Sequence, residues 1–190
     1  MTTLTDRPAS ALLVVDVQIG VMKDAHDRDG VIARIADLAA RARAAGAPVI
    51  WVQHENEHLI RGEAPWRLAS ELSPLPEEPV IAKHYGDAFE ETELEACLAA
   101  RGVGRLIVCG AQTDACIRST LHGALVRGYD VILVRDAHTT EDLSAWGAPP
   151  PEQVIVHTNL YWAHETAPGR TAGAAPASEV TFGVSARAAG

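Results

Sequence analysis

The chain is poor in cysteine: its 190 residues hold three, Cys97, Cys109 and Cys116, and no CxxC pair. An odd, small number in a chain of this size argues against a disulfide framework and gives no zinc or thiol-redox motif. Long apolar runs are absent too, so no membrane span is expected. The run at 11–15 is ended by Asp16 and is too short and wrongly flanked for a signal peptide. A reducing, cytoplasmic location follows as the expectation. Positive charge is scarce: 16 Lys and Arg face 25 Asp and Glu, a net charge of −9, with no basic cluster. That argues against a nucleic-acid partner, because phosphate binding needs a basic patch to replace counterions. No GxGxxG follows the first apolar run, so a dinucleotide site is unsupported.

What is present is ordinary for a globular chain: 47% hydrophobic and 22% charged residues. The length suits one domain over 1–190. Continuous apolar runs stand at 11–17, 48–53, 105–110, 130–135 and 153–157, with a weaker one at 79–82. Continuous rather than alternating runs read as strands buried on both faces. Between them, Val31, Ile32, Ile35, Leu38 and Ala42 keep a helical period that stops near Gly46. Residues 92–101 form a second helical segment before Gly102, and Ile117, Leu121, Ala124 and Leu125 a third before Gly128. This alternation predicts an α/β, doubly wound, six-stranded, mostly parallel sheet with helices on both faces. Residues 167–190 read as a loop-like tail with one late strand at 179–182.

Ligands of such sheets bind at the carboxyl ends of the strands. Asp16, His54, Lys83, the segment 110–116, Asp136 and the segment 157–162 all fall there. The segment Gly110-Ala111-Gln112-Thr113-Asp114-Ala115-Cys116 leaves a strand and opens a helix, with Thr113 or Asp114 as the expected N-cap. The positive end of that helix would favour a thiolate at Cys116, and its free N–H groups would hold an oxyanion. On position alone, Cys116 fits a packing residue equally well, Asp16 a helix cap, and Lys83 a solvated surface lysine. Cys97, in a helix, and Cys109, in a buried strand, read as packing residues.

The chain resembles the isochorismatase-like cysteine hydrolases, which include nicotinamidases, carbamoylsarcosine amidohydrolases and ureidoacrylate hydrolases. The likeness rests on three ordered motifs: L-x-V-D-x-Q at Leu13, Val15, Asp16 and Gln18; K-x-x-x-x-A-F-x-x-T at Lys83, Ala88, Phe89 and Thr92; and G-x-x-T-x-x-C at Gly110, Thr113 and Cys116. The strand ending Asp136-Ala137 also fits. The resemblance implies hydrolysis of an amide-type C–N bond in a small molecule. It makes Asp16 the general base, Lys83 the polarising cation and Cys116 the nucleophile that forms a thioester. It also implies a cis peptide between Ala111 and Gln112, with the backbone N–H groups of Gln112 and Cys116 as oxyanion donors. A homodimer or homotetramer is implied on the same ground.

The sequence departs from some relatives. Metal-binding nicotinamidases carry D-x-H after the second strand; here the stretch reads Gln53-His54-Glu55-Asn56-Glu57-His58, without the aspartate. No metal or other cofactor is therefore expected. True isochorismatases, which cleave a vinyl ether, lack the nucleophilic cysteine, so Cys116 argues against that reaction. Expected pocket residues are His54, Trp66, Tyr85, Phe89, Tyr161 and Trp162, whose rings would stack on a flat substrate. Arg118, one turn into the third helix, is a candidate carboxylate binder or a surface ion-pair partner. The stretch 159–170 is loosely similar to streptothricin-hydrolase-type members, which open a cyclic amide in a cationic antibiotic. The alternatives to an amidohydrolase are that hydrolase of a cyclic amide and a catalytically silent assembly member of the same fold.

Overall fold

The computed structural model describes residues 2–183. In chain order these form β1 (Ala9–Val15), α1 (Arg28–Ala44), β2 (Val49–His54), β3 (Val80–Lys83), α2 (Leu94–Ala100) and β4 (Val103–Ala111). A π-turn (Thr113–Ile117) then leads into α3 (Arg118–Val126), followed by β5 (Asp130–Thr139), α4 (Pro151–Ala163), β6 (Thr166–Ala167) and β7 (Arg170–Ala175). The sheet order is β3-β2-β1-β4-β5-β7-β6. All neighbours are parallel except the two-residue edge strand β6. The strand order reverses between β1 and β4, which opens the crevice outside their carboxyl ends.

Successive residues of each strand feed opposite cores, as the pleat requires. Leu13 and Val15 of β1, with Leu106 and Val108 of β4, pack under α2, α3 and α4 through Leu98, Leu121 and Trp162. Leu12 and Val14, with Ile107 and Cys109, pack under α1 through Val31, Ile35 and Leu38. The strands are thus buried on both sides, which is why their sequences are continuously apolar. Among the described residues, no helix is long and apolar enough to cross a membrane.

The doubly wound sheet and its parallel strands agree with expectation, but the sixth parallel strand is β7 and not 153–157. That segment lies inside α4. Pro150 and Pro151 start the helix, and Pro151, Thr158 and Trp162 are its buried residues, a helical spacing. Val156 is exposed, so the apolar triplet Val154–Val156 does not mark a buried strand. Over its described part, 167–183, the tail is not merely loop-like either; residues 184–190 lie outside the described residues. β7 adds to β5 with Val131 opposite Ala172, and Asp130 accepts from the Thr171 N–H at 2.7 Å. Residues 179–182 are not a strand: a 3-10 turn covers Ala177–Glu179, and Ala177 and Val180 cap the second core.

Candidate active site

Four neighbouring strands end at one place. Asp16 is the first residue beyond β1, its backbone at φ 53°, a left-handed conformation that Asp tolerates better than most residues. His54 and Lys83 end β2 and β3 and stand opposite each other in register. Gln18, fully buried, ties the ends together: its Oε1 accepts from the His54 N–H at 2.8 Å, and its Nε2 donates to the carbonyls of His54 (3.0 Å) and Trp66 (2.8 Å).

Lys83 is completely buried, yet its ammonium is surrounded by acceptors. Nζ lies 2.7 Å from Asp16 Oδ2, 3.0 Å from His54 Nδ1, 3.0 Å from the Tyr85 carbonyl and 3.2 Å from Cys116 Sγ. A buried charge survives only when paired and hydrogen-bonded in this way. Burial raises the Asp16 carboxyl, against the opposing charge of Lys83. Burial and the same charge push His54 down to about 4. Its imidazole is therefore neutral near pH 7, and because Nδ1 accepts from Lys83, the ring proton is on Nε2.

The turn that carries Cys116 is held from below. Gly110, at φ 123°, lies against β1 so closely that a Cβ would sit 2.0 Å from the Val15 carbonyl oxygen. The Ala111–Gln112 peptide is cis, as the resemblance implied. The turn then runs from Gln112, whose carbonyl accepts from Ile117 at 3.1 Å, and Cys116 falls among the early helical N–H groups. Neither Thr113 nor Asp114 caps it. Thr113 Oγ1 instead bonds Nδ1 of the buried His138 (2.8 Å), whose Nε2 faces Asn159 Oδ1 (3.0 Å), and Asp114 accepts from Thr140 Oγ1 (3.0 Å). His138 was not singled out by the sequence; it lies next to the end of β5 in the polar stretch around Asp136 and Thr139, where no local pattern sets it apart.

The surroundings of Cys116 oppose the thiolate that the helix start favours. Burial, then the negative charge of Asp16, push Cys116 up to about 12, and Lys83 only partly opposes them. Helix-start N–H groups cannot outweigh a half-buried site that already holds a carboxylate.

Above these side chains lies a cleft of about 350 Å³ lined by Asp16, His54, Gln112 and Cys116, with Gly20, Val21, Asn56, His58, Leu59, Ala115 and Glu141. Of the six expected pocket residues only His54 lines it. Trp66 contributes its carbonyl, which also accepts from Gln53 (2.8 Å), and its ring lies beside Arg61. Tyr85 turns its ring outward and supplies only the carbonyl that Lys83 contacts. Phe89 is a core residue against Tyr129 and Arg127. Trp162 is fully buried beneath α4, and Tyr161 stacks on His122. Phe89 and Trp162 thus belong to the core, Tyr85 faces solvent, and none of these five rings lines the cleft. Glu141, Val21 and Leu59 were missed because they sit on connecting loops with no local pattern.

Asp16, His54 and Cys116 offer three donor atoms within 4.8 Å of one another, and His58 is not among them. The Lys83 ammonium already stands against all three, so an added cation would meet a charge of its own sign at contact range.

A family model described as the Isochorismatase domain matches residues 10–148. Two streptothricin hydrolases of Streptomyces noursei are 40% and 39% identical over 76% and 71% of this chain, and the matches span 60% and 51% of their lengths. The ureidoacrylate amidohydrolase RutB of Methylobacterium radiotolerans is 32% identical, with 70% of this chain and 67% of that protein aligned. A crystal structure of an isochorismatase from Pseudomonas putida superposes with a TM-score of 0.81 at 27% identity, covering 93% of this chain and 92% of that one. With the motif residues gathered at the crevice of the matching fold, the chain belongs to the isochorismatase family of hydrolases.

Proposed function

We propose that this chain is a cysteine hydrolase that cleaves an amide-type C–N bond of a small molecule, with Cys116 as nucleophile and Asp16 and Lys83 completing the site. The observation that carries the reading is the position of the Lys83 ammonium, 2.7 Å from the Asp16 carboxylate and 3.2 Å from the Cys116 sulfur. At rest the pair is carboxylate and thiol. When Asp16 takes the thiol proton, the negative charge moves from oxygen to sulfur, and both atoms are neighbours of the same ammonium. The transfer leaves the net charge of the buried site unchanged, so no desolvated charge is created.

The thiolate then attacks the carbonyl carbon. The oxyanion is held by the backbone N–H groups of Gln112 and Cys116, donors of a kind whose removal typically costs about a hundredfold or more in rate. Protonated Asp16 gives its proton to the departing nitrogen as the C–N bond breaks, leaving a thioester on Sγ. Water enters, loses a proton to Asp16, and attacks the thioester. The acid leaves, and the thiol is restored. Hydrolysis of C–N bonds by the amidohydrolase relative supports this reaction class, and the streptothricin hydrolases make a streptothricin-class amide the first substrate to test.

The test is turnover of a panel of amides, carbamoyl compounds and lactams by the wild type and by Cys116→Ala and Cys116→Ser. Both variants are expected to lose about a thousandfold or more in kcat while keeping their circular dichroism. A mass increment on Cys116 after brief mixing with substrate should accompany wild-type turnover. Near-normal activity in Cys116→Ala would overturn the assignment.

A further inference from the structure

The cleft carries a second carboxylate that this chemistry does not use. Glu141 lines the same wall as Cys116 and Gln112. Its Oε1 accepts from Gln112 Nε2 at 3.1 Å, and among the described residues no Lys, Arg or His lies within ion-pair distance of it. The cleft lining contains no Lys or Arg. The cation beneath it, Lys83, is engaged with Asp16, His54 and Cys116, and His54 is neutral by its contact with that lysine. His58, the other basic side chain of the lining, faces Glu57 at 3.6 Å, so Glu141 stands in the cleft as a carboxylate with no cationic partner among the described residues.

Glu141 is also held in place. Its backbone bridges Ala25, the neighbouring Thr140 donates to Asp114 at the start of the nucleophile turn, and Gln112 binds its side chain. A fixed carboxylate loses little freedom when a ligand arrives, which favours recognition. Gly20, Val21 and Leu59 give the cleft its apolar surface, suited to the methylenes between an amide and a distant charge.

We propose that Glu141 is a specificity residue that pairs with a protonated amine of the substrate, so that the site prefers cationic amides over neutral ones and rejects anionic ones. The proposal rests on the amidohydrolase reading for its reaction but not for its binding step. A cationic ligand supplies the counter-charge that Glu141 lacks, whereas a substrate carboxylate would face it unpaired.

The test uses three linear amides of one chain length: the amide of an ω-amino acid, the plain aliphatic amide, and the half-amide of a dicarboxylic acid. Ammonia release is followed for the wild type, Glu141→Gln and Glu141→Asp. The wild type is expected to favour the cationic over the neutral amide by about tenfold in kcat/KM, mainly through KM, and the preference should shrink in high salt. Glu141→Gln, which keeps a partner for Gln112, is expected to bring that ratio to about one, and Glu141→Asp to retain part of it. A purely structural role would move all three amides together. An unchanged ratio in Glu141→Gln, or a wild type that prefers the neutral or anionic amide, overturns the proposal. Calorimetry of the same amides with Cys116→Ala reads the binding step without turnover. A cationic preference there that disappears on adding Glu141→Gln supports the proposal even if no amide is hydrolysed, and its absence overturns it while leaving the Cys116 assignment to its own test.

Discussion

Lys83 is the residue on which the site's electrostatics turn. It has no exposure to solvent, and the Asp16 carboxylate it neutralises is buried as well. Removing one member of such a pair leaves an uncompensated charge, which typically costs about 3–5 kcal/mol, whereas removing both is far milder. Lys83→Met is therefore expected to lower stability by that amount, and Lys83→Met with Asp16→Asn to recover most of it. Neither variant should turn over substrate. Chemical denaturation of the two single variants and the double variant checks this; a double variant no more stable than Lys83→Met would contradict the pairing. Asp16 and Lys83 were legible at this scale because each is the polar group where an apolar strand stops, whereas Cys116, in the turn beyond β4, stood out only through the motif resemblance. The pocket aromatics were not legible, because a strand end does not say which way a neighbouring ring turns: Phe89 and Trp162 went to one core cluster, and Tyr85 to solvent.

At the scale of elements, the turn to Cys116 depends on how closely β4 approaches β1. Gly110 pairs with Val15 at the end of the parallel ladder, and its Cα faces the Val15 backbone with no room for a side chain. Its positive φ adds a second reason for glycine. Gly110→Ala is thus expected to cost about 3 kcal/mol or more, a fall in Tm of roughly 6–12 °C for a chain of this size. Because the turn to Cys116 starts two residues later, activity should fall further than stability explains. Thermal melts and kcat together check this; an alanine variant with wild-type Tm would show that the two strands can part without cost. Helix α4 makes the complementary point. Its apolar triplet suggested a strand, but the prolines before it and the spacing of Thr158 and Trp162 carried the helical signal.

For the whole molecule, acid should be destabilising in a defined window. His138 is buried between Thr113 and Asn159, and burial pushes it from its ordinary 6.5 down to about 4. Below pH 6.5 the unfolded chain takes up a proton that the folded chain refuses, so stability declines until about pH 4, where the folded histidine also protonates. From pH 7 to pH 5 this one group contributes a loss of about 2 kcal/mol. His54 acts in the same direction, while Asp16, raised by burial, acts in the opposite one. Urea midpoints of the wild type and His138→Gln isolate the His138 part: the variant should lose less stability between the two pH values, and an identical pH dependence would contradict it.

The sequence alone determined the parallel doubly wound sheet, and its motifs marked Asp16, Lys83 and Cys116 as the candidate site. Strands buried on both faces must be continuously apolar, and the first polar residue after such a run must lie at its end, where ligands bind. Only the tertiary structure decided the electrostatic surroundings of Cys116, the partners of His138, the strand made by the alanine-rich tail and the residues that wall the cleft. Burial and the charges of distant segments set the first two. Pairing with β5 made a strand of residues with little strand preference of their own, and loops without periodicity met over the sheet only once the fold had formed.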